Sequence, residues 1–140
     1  MYTDETQYPV RVHVGRSSAG LGLFAEEAVK KGQFIIEYTG ERISAEEADR
    51  RGGQYLFEVT DELTIDGSDR KYIGRYINHS CSPNAEAEHD EDGDRIYIRA
   101  CKDIAPGEEI TYHYGEDFFN RIIKKKGCRC SVCTQKKIIP

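Results

Sequence analysis

The ten residues Arg75–Asn84, RYINHSCSPN, decide how the rest of this chain is read. They pack Asn78, His79, Ser80, Cys81 and Pro83 into one short segment, too polar for a core and too specialised for an ordinary strand. Three chemistries are open for it. Cys81 is a nucleophile with His79 as its base, a metal ligand, or half of a disulfide. His79 and Cys81 stand two apart, so in extended chain both side chains lie on one face.

Size and composition weigh against the disulfide. The chain has 140 residues, which suits one domain with a self-supporting core. It contains no run of 18 apolar residues, the length a membrane-crossing helix needs. The start, MYTDETQYPV, carries acids and no apolar stretch, unlike a secretory signal. The expectation is an intracellular protein, cytoplasmic by default and nuclear or chromatin-associated as the alternative, with reduced thiols. Five cysteines is also an odd number, so they cannot all pair within one chain.

A second cluster, CRCSVC, places Cys128, Cys130 and Cys133 within six residues. Three thiolates at this spacing can converge on one ion, and structural zinc takes four ligands in a tetrahedron with sulfur favoured. One position stays open. Cys81 is a candidate for it and Cys101 the competitor, although Cys101, at the end of RIYIRAC, suits a small buried thiol. If Cys81 is a ligand, the Cys–His dyad loses its nucleophile.

Charge is uneven. The net charge is −5, yet every acid lies at or before Asp117 and seven bases follow it. An acidic body with a basic tail argues for a cationic partner and against a nucleic-acid binder. The tail's bases also offset the charge of a thiolate cluster.

Most segments read as short strands bounded by turns: Val10–Val14, Gln33–Tyr38, Tyr55–Val59, Arg95–Ala100 and Glu108–Tyr114. Asp66-Gly67, Asp92-Gly93 and Pro106-Gly107 mark turns, the Gly20-Leu21-Gly22 of AGLGLFA reads as a turn after a strand, and the acidic stretch Glu86–Asp94 reads as a solvated hairpin tip. Ser44 and Glu47 form a capping-box pattern for a short helix that Gly52-Gly53 ends. A second helix is expected in EDFFNRIIKKK, before Gly127. A faint internal echo matches Ala25, Val29, Gly32, Ile35, Gly40 and Glu41 with Ala100, Ile104, Gly107, Ile110, Gly115 and Glu116.

Five segments in order, AGLGLFA (19–25), EYTGE (37–41), RYINHSCSPN, GEEITYHYG (107–115) and CRCSVC, resemble the SET-domain family of protein-lysine methyltransferases with its post-SET cysteine cluster. The resemblance covers about residues 10–135. It implies a mostly β, β-clip-like fold of small curved sheets with short helices and a C-terminal pseudoknot, in which residues 1–117 form the SET domain and 118–140 the post-SET tail. The absence of a preceding cysteine-rich region resembles minimal stand-alone members, monomeric or homodimeric.

The resemblance also implies roles. S-adenosylmethionine is the expected cofactor, held at Gly20, Leu21, Gly22, Tyr38, Arg75, Asn78, His79 and Tyr114. Tyr114 matches the catalytic tyrosine. Tyr112 matches the position that gauges room around the substrate amine, and with Tyr55 it lines the lysine channel. One structural zinc is expected on Cys81, Cys128, Cys130 and Cys133. A tyrosine at 112, where members adding several methyls often have phenylalanine, implies mainly mono- or dimethylation. His113 stands where an acid is common, and the short C-x-C-x-x-C spacing departs from many members. The expected partner is a lysine-containing basic peptide, such as a histone tail, docking on an exposed sheet edge.

Overall fold

The computed structural model describes residues 9–18, 20–53 and 55–113. The expected second helix, the threaded pseudoknot, the boundary at residue 117, Tyr114, Cys128, Cys130 and Cys133 lie outside the described residues. The architecture is mostly β, in three small sheets.

The strands in chain order are β1 (Val12–Ser17), β2 (Gly20–Ala25), β3 (Phe34–Tyr38), β4 (Glu41–Ser44), β5 (Leu56–Glu58), β6 (Leu63–Asp66), β7 (Asn78–His79), β8 (Ala85–Asp90), β9 (Arg95–Ala100) and β10 (Glu109–Tyr112). The first sheet runs β1-β2-β10-β7, the second β3-β9-β8 and the third β4-β6-β5. Only β7 and β10 pair in parallel; the other described pairs are antiparallel. Among the described residues, no helix is long and apolar enough to cross a membrane.

Several expectations shift. Gly20 and Gly22 do not form a turn; they open β2, paired with Ser17 and Gly15 of β1. Much of the acidic stretch Glu86–Asp94 is strand, because β8 pairs residue by residue with β9, and the turn narrows to residues 91–94. Helix α1 (Ala45–Arg51) starts where expected, with the Ser44 hydroxyl accepting from the Glu47 amide at 3.1 Å. The capping box is only half made. The Glu47 carboxylate turns to Arg50 and Arg51 instead, because a guanidinium offers a charged donor where the Ser44 amide offers a neutral one. Arg51 is a hub that also pairs with Glu41 and Asp66.

The internal echo is structural. Val29 and Ile104, equivalent in the two halves, exchange both backbone hydrogen bonds, each at 2.8 Å. Around them the contacts come in matched pairs. Gly32 donates to the Ala100 carbonyl and Gly107 to the Ala25 carbonyl, both at 2.7 Å. Both glycines have φ 89°, a conformation that L side chains rarely adopt. Ala100 donates to Gln33 as Ala25 donates to Glu108. Phe34 pairs with Arg99 as Glu109 pairs with Phe24. A local twofold therefore relates the β2–β3 region to the β9–β10 region.

The core follows from this arrangement. Leu23, Val29, Ile35, Ile65, Ile77, Ile98, Ile104 and Ile110 are almost fully buried, and they come from all three sheets and from the segments between them. Each such aliphatic side chain contributes roughly 1.5–3 kcal/mol on leaving water. Arg42 of β4 donates to the carbonyls of Gly93 and Asp94 at 2.8 and 3.1 Å, tying the third sheet to the β8–β9 turn.

Candidate active site

The parallel pairing of β7 with β10 sets Asn78 beside Thr111 and His79 beside Tyr112. RYINHSCSPN and the EITY segment, distant in sequence, thereby share one location. Ile77 and Ile110 anchor the pair in the core, being almost fully buried.

Asn78 is fixed by its amide nitrogen. Nδ2 lies 2.7 Å from the Leu21 carbonyl, 2.9 Å from Glu109 Oε2 and 3.1 Å from the Ser17 hydroxyl. Two of these partners can only accept, so the amide orientation follows from chemistry. Oδ1 is left as the side chain's free acceptor face. Gly22 makes room for this: a Cβ there would collide with the Glu109 carboxylate. Gly20 has φ 109°, and Leu21 is half-exposed at the strand start.

The same side of the site opens into a polar cavity of about 330 Å³, lined by Asn78, Ser80, Asn84, Lys102, Glu109 and Thr111 among others. Asn84 donates to the Glu109 carbonyl at 2.8 Å and accepts from the Thr111 amide at 2.9 Å. Its side chain thus acts as a short extra strand along β10.

His79 is buried and its ring meets the His113 ring edge-on at 4.5 Å. Burial, and after it the proximity of His113, brings its pKa down to about 4. The imidazole is therefore neutral near neutral pH. Cys81 Sγ lies 3.6 Å from His79 Nε2, so the two do share a face. A ring held this far below the usual histidine range is a weak base for a thiol, which disfavours the dyad. Cys81 is exposed. Cys101, expected as a small buried thiol, is half-buried, with its thiol 3.6 Å from the Pro83 carbonyl. Among the described residues no group of three or more metal-binding side chains converges.

The tyrosines divide by role. Tyr38 is buried and its hydroxyl donates to the Tyr55 carbonyl at 3.0 Å. Burial, then the nearby Asp66 carboxylate, pushes its pKa well above the usual phenol range. A Cβ at Gly67 or Gly74 would press on the Tyr38 ring. Tyr38 is therefore a packed support for the Tyr55 segment, with its hydroxyl already committed. Tyr55 faces the Arg75 guanidinium at 4.1 Å, and Tyr76 flanks the same cation at 4.9 Å. Arg75 Nε is buried without a hydrogen-bond partner among the described residues. Tyr112 is buried and packs toward Phe57, which in turn packs on Tyr38. Sequence reasoning missed Glu109, Asn84, Ser17 and Phe57 in this cluster.

Residues 20–115 match the SET domain family model. This chain belongs to the SET domain family. It is 37% identical over 137 residues to a histone-lysine N-methyltransferase, H3 lysine-4 specific, of Schizosaccharomyces pombe, covering 90% of this chain and 14% of that protein. It is 39% identical over 125 residues to histone-lysine N-methyltransferase 2D of Homo sapiens, covering 81% of this chain and 2% of that protein. A chain in the crystal structure of an active polycomb repressive complex 2 in the stimulated state superposes with TM-score 0.73 and 34% identity, over 81% of this chain and 16% of that chain. The SET domain here thus spans a small part of the length of the proteins it resembles.

Proposed function

We propose that this SET domain is a protein-lysine N-methyltransferase that moves a methyl group from S-adenosylmethionine to the ε-amine of a lysine in a basic peptide, such as a histone tail. The observation that carries this reading is the parallel β7–β10 pairing. It brings Asn78 and His79 against Tyr112, the strand that leads to Tyr114. The names of the relatives support histone substrates and a chromatin setting in preference to the cytoplasmic default.

The site residues suit the cofactor. A nucleoside bearing an amino acid has donors for Asn78 Oδ1 and acceptors for the unpartnered Arg75 Nε, and the half-exposed Leu21 offers apolar surface. When bound, the sulfonium supplies an activated methyl group. The chain supplies position. Gly20, Leu21, Gly22, Asn78 and His79 hold the cofactor. Tyr38 acts one step removed, by fixing the Tyr55 backbone. The lysine must arrive as a neutral amine, against a free pKa of about 10.4. An apolar channel beside the sulfonium cation, lined by Tyr55 and Tyr112, disfavours the ammonium. The Tyr112 and Tyr114 hydroxyls orient the amine lone pair, and Tyr112 restricts the room for added methyls, favouring mono- or dimethylation.

The peptide adds along β5, an edge strand of the third sheet, next to Tyr55. The acidic body steers it. Cys81, with Cys128, Cys130 and Cys133, would hold one zinc at a four-thiolate site.

The test is transfer from labelled S-adenosylmethionine to core histones or a lysine-peptide array. Transfer by the unmodified protein and its loss in Tyr114→Phe are expected. Cofactor binding with no transfer to any peptide would leave a binding module in place of an enzyme.

A further inference from the structure

We infer that Glu109 is a positioning residue for the cofactor's α-ammonium group, acting through Asn78; this rests on the assignment of Asn78 to the cofactor. Asn78 could offer either end of its amide to the cavity. Glu109 Oε2, at 2.9 Å, and the Leu21 carbonyl, at 2.7 Å, claim both hydrogens of Nδ2. What remains for a ligand is Oδ1, an acceptor. The cofactor has both neutral and charged donors, and the adjacent carboxylate selects among them. A carboxylate polarises the amide it accepts from and favours a cation over a hydroxyl as the next partner. The only cationic hydrogen-bond donor on the cofactor is its α-ammonium group.

The second glycine of the Gly-Leu-Gly segment gains a reason from this. Glycine at position 22 leaves the space that the Glu109 carboxylate occupies, and a Cβ there would push the carboxylate off Asn78. Gly22, Glu109 and Asn78 form one unit across β2, β10 and β7. β10 holds Glu109 in register through two outside supports, the pairing with Phe24 and the Asn84 amide on its carbonyl. Glu109 also lines the cavity with Asn78.

The experiment compares two ligands. S-adenosylhomocysteine carries the α-ammonium group; 5′-methylthioadenosine has the same nucleoside and lacks the amino acid. Their dissociation constants are measured by calorimetry for the unmodified chain, Glu109→Ala, Glu109→Gln and Asn78→Ala. Glu109→Ala is expected to weaken S-adenosylhomocysteine on the order of tenfold, the scale of one charge-assisted bond. Methylthioadenosine binding is expected to stay within about twofold, because it makes no such bond. Glu109→Gln keeps an oxygen in reach of Nδ2 and is expected to recover most of the affinity. Equal weakening of both ligands in Glu109→Ala, or no weakening of either while Asn78→Ala loses S-adenosylhomocysteine, overturns the positioning role. If Asn78→Ala binds S-adenosylhomocysteine like the unmodified chain, the cofactor assignment of Asn78 falls and this inference falls with it.

Discussion

The Asn84 side chain and the Thr111 backbone are joined at 2.9 Å, and the same amide donates to the Glu109 carbonyl at 2.8 Å. One side chain thereby satisfies two backbone groups of β10, the strand that carries Tyr112. Asn84→Ala strands both groups and is expected to cost about 1–3 kcal/mol. Asn84→Asp keeps the acceptor but sets an oxygen against a carbonyl, so it is expected to lose stability too. Urea midpoints for both variants check this; a fully stable Asp variant would make the donor arm dispensable.

Two glycines separate close approach from idle flexibility. A Cβ on Gly40 would collide with the Asp66 backbone carbonyl, which cannot swing away as a side-chain tip can. Gly40→Ala is expected to cost about 1–3 kcal/mol through this overpacking. Gly53 has open space around it and no left-handed φ. Gly53→Ala is expected to stabilise by about 0.4–1 kcal/mol, mainly by restricting the unfolded chain. Thermal melts of the two variants should move in opposite directions.

The Arg51 hub sets an acid-sensitive window. Hydrogen bonds from Arg50, then Arg51, hold Glu47 down to about 2 from its ordinary 4.5. Glu41 is lowered, first by its hydrogen bond to Arg51. Asp66 is lowered as well: burial opposes the shift, but Ser68 and Arg51 outweigh it. Depressed carboxylates contribute stability above their unfolded values, and that contribution is lost as pH falls toward the folded ones. Stability is therefore expected to decline from about 4.5 down to about 2. In Arg51→Met the decline should be shallower, because Glu41 loses its partner while Glu47 and Asp66 keep only Arg50 and Ser68. Denaturant midpoints across that window read the difference.

Tyr112 is buried beside His79 and packs toward Phe57. Tyr112→Phe removes only a hydroxyl from that packing. It is expected to shift products toward higher methylation with the fold intact, as read by mass spectrometry of a modified peptide. Efficient trimethylation by the unmodified protein would sink the idea that this hydroxyl limits multiplicity.

Cys81 is exposed, which leaves its thiol accessible for a ligand role. One zinc per chain is expected by elemental analysis. Cys81→Ser should lower that content, since a hydroxyl is a poor substitute for thiolate at a four-sulfur site. Zinc far below one per chain in the unmodified protein would remove the assignment.

Legibility in the sequence tracked how local each cause was. β9 could be read from RIYIRA alone, because alternation and β-branching are properties of six adjacent residues. The start of α1 was legible for the same reason, yet the destination of the Glu47 carboxylate was not, since two arginines compete for it. β2 was misread at its start because GLGLFA looks like a turn until β1 and β10 flank it. β7 is two residues long and exists only through its pairing with β10. Glu109 was hidden among ordinary acids after a Pro-Gly turn; its meaning depends on Gly22 and Asn78 meeting it from other strands. The resemblance set Tyr38 at the cofactor, and nothing near it in sequence shows that Tyr55 takes its hydroxyl.

The Val29–Ile104 bridge has a kinetic consequence. Its two partners are 75 positions apart, and the matched bonds around it make each side the other's completing strand. Neither side can close alone, so this seam closes residues 29–104 as one loop. Closing it is unfavourable until the bridging bonds and the buried Val29 and Ile104 side chains form together. Folding of this chain is therefore expected to be slowed by that long-range closure, which the local β1–β2 and β8–β9 hairpins do not bring about by themselves.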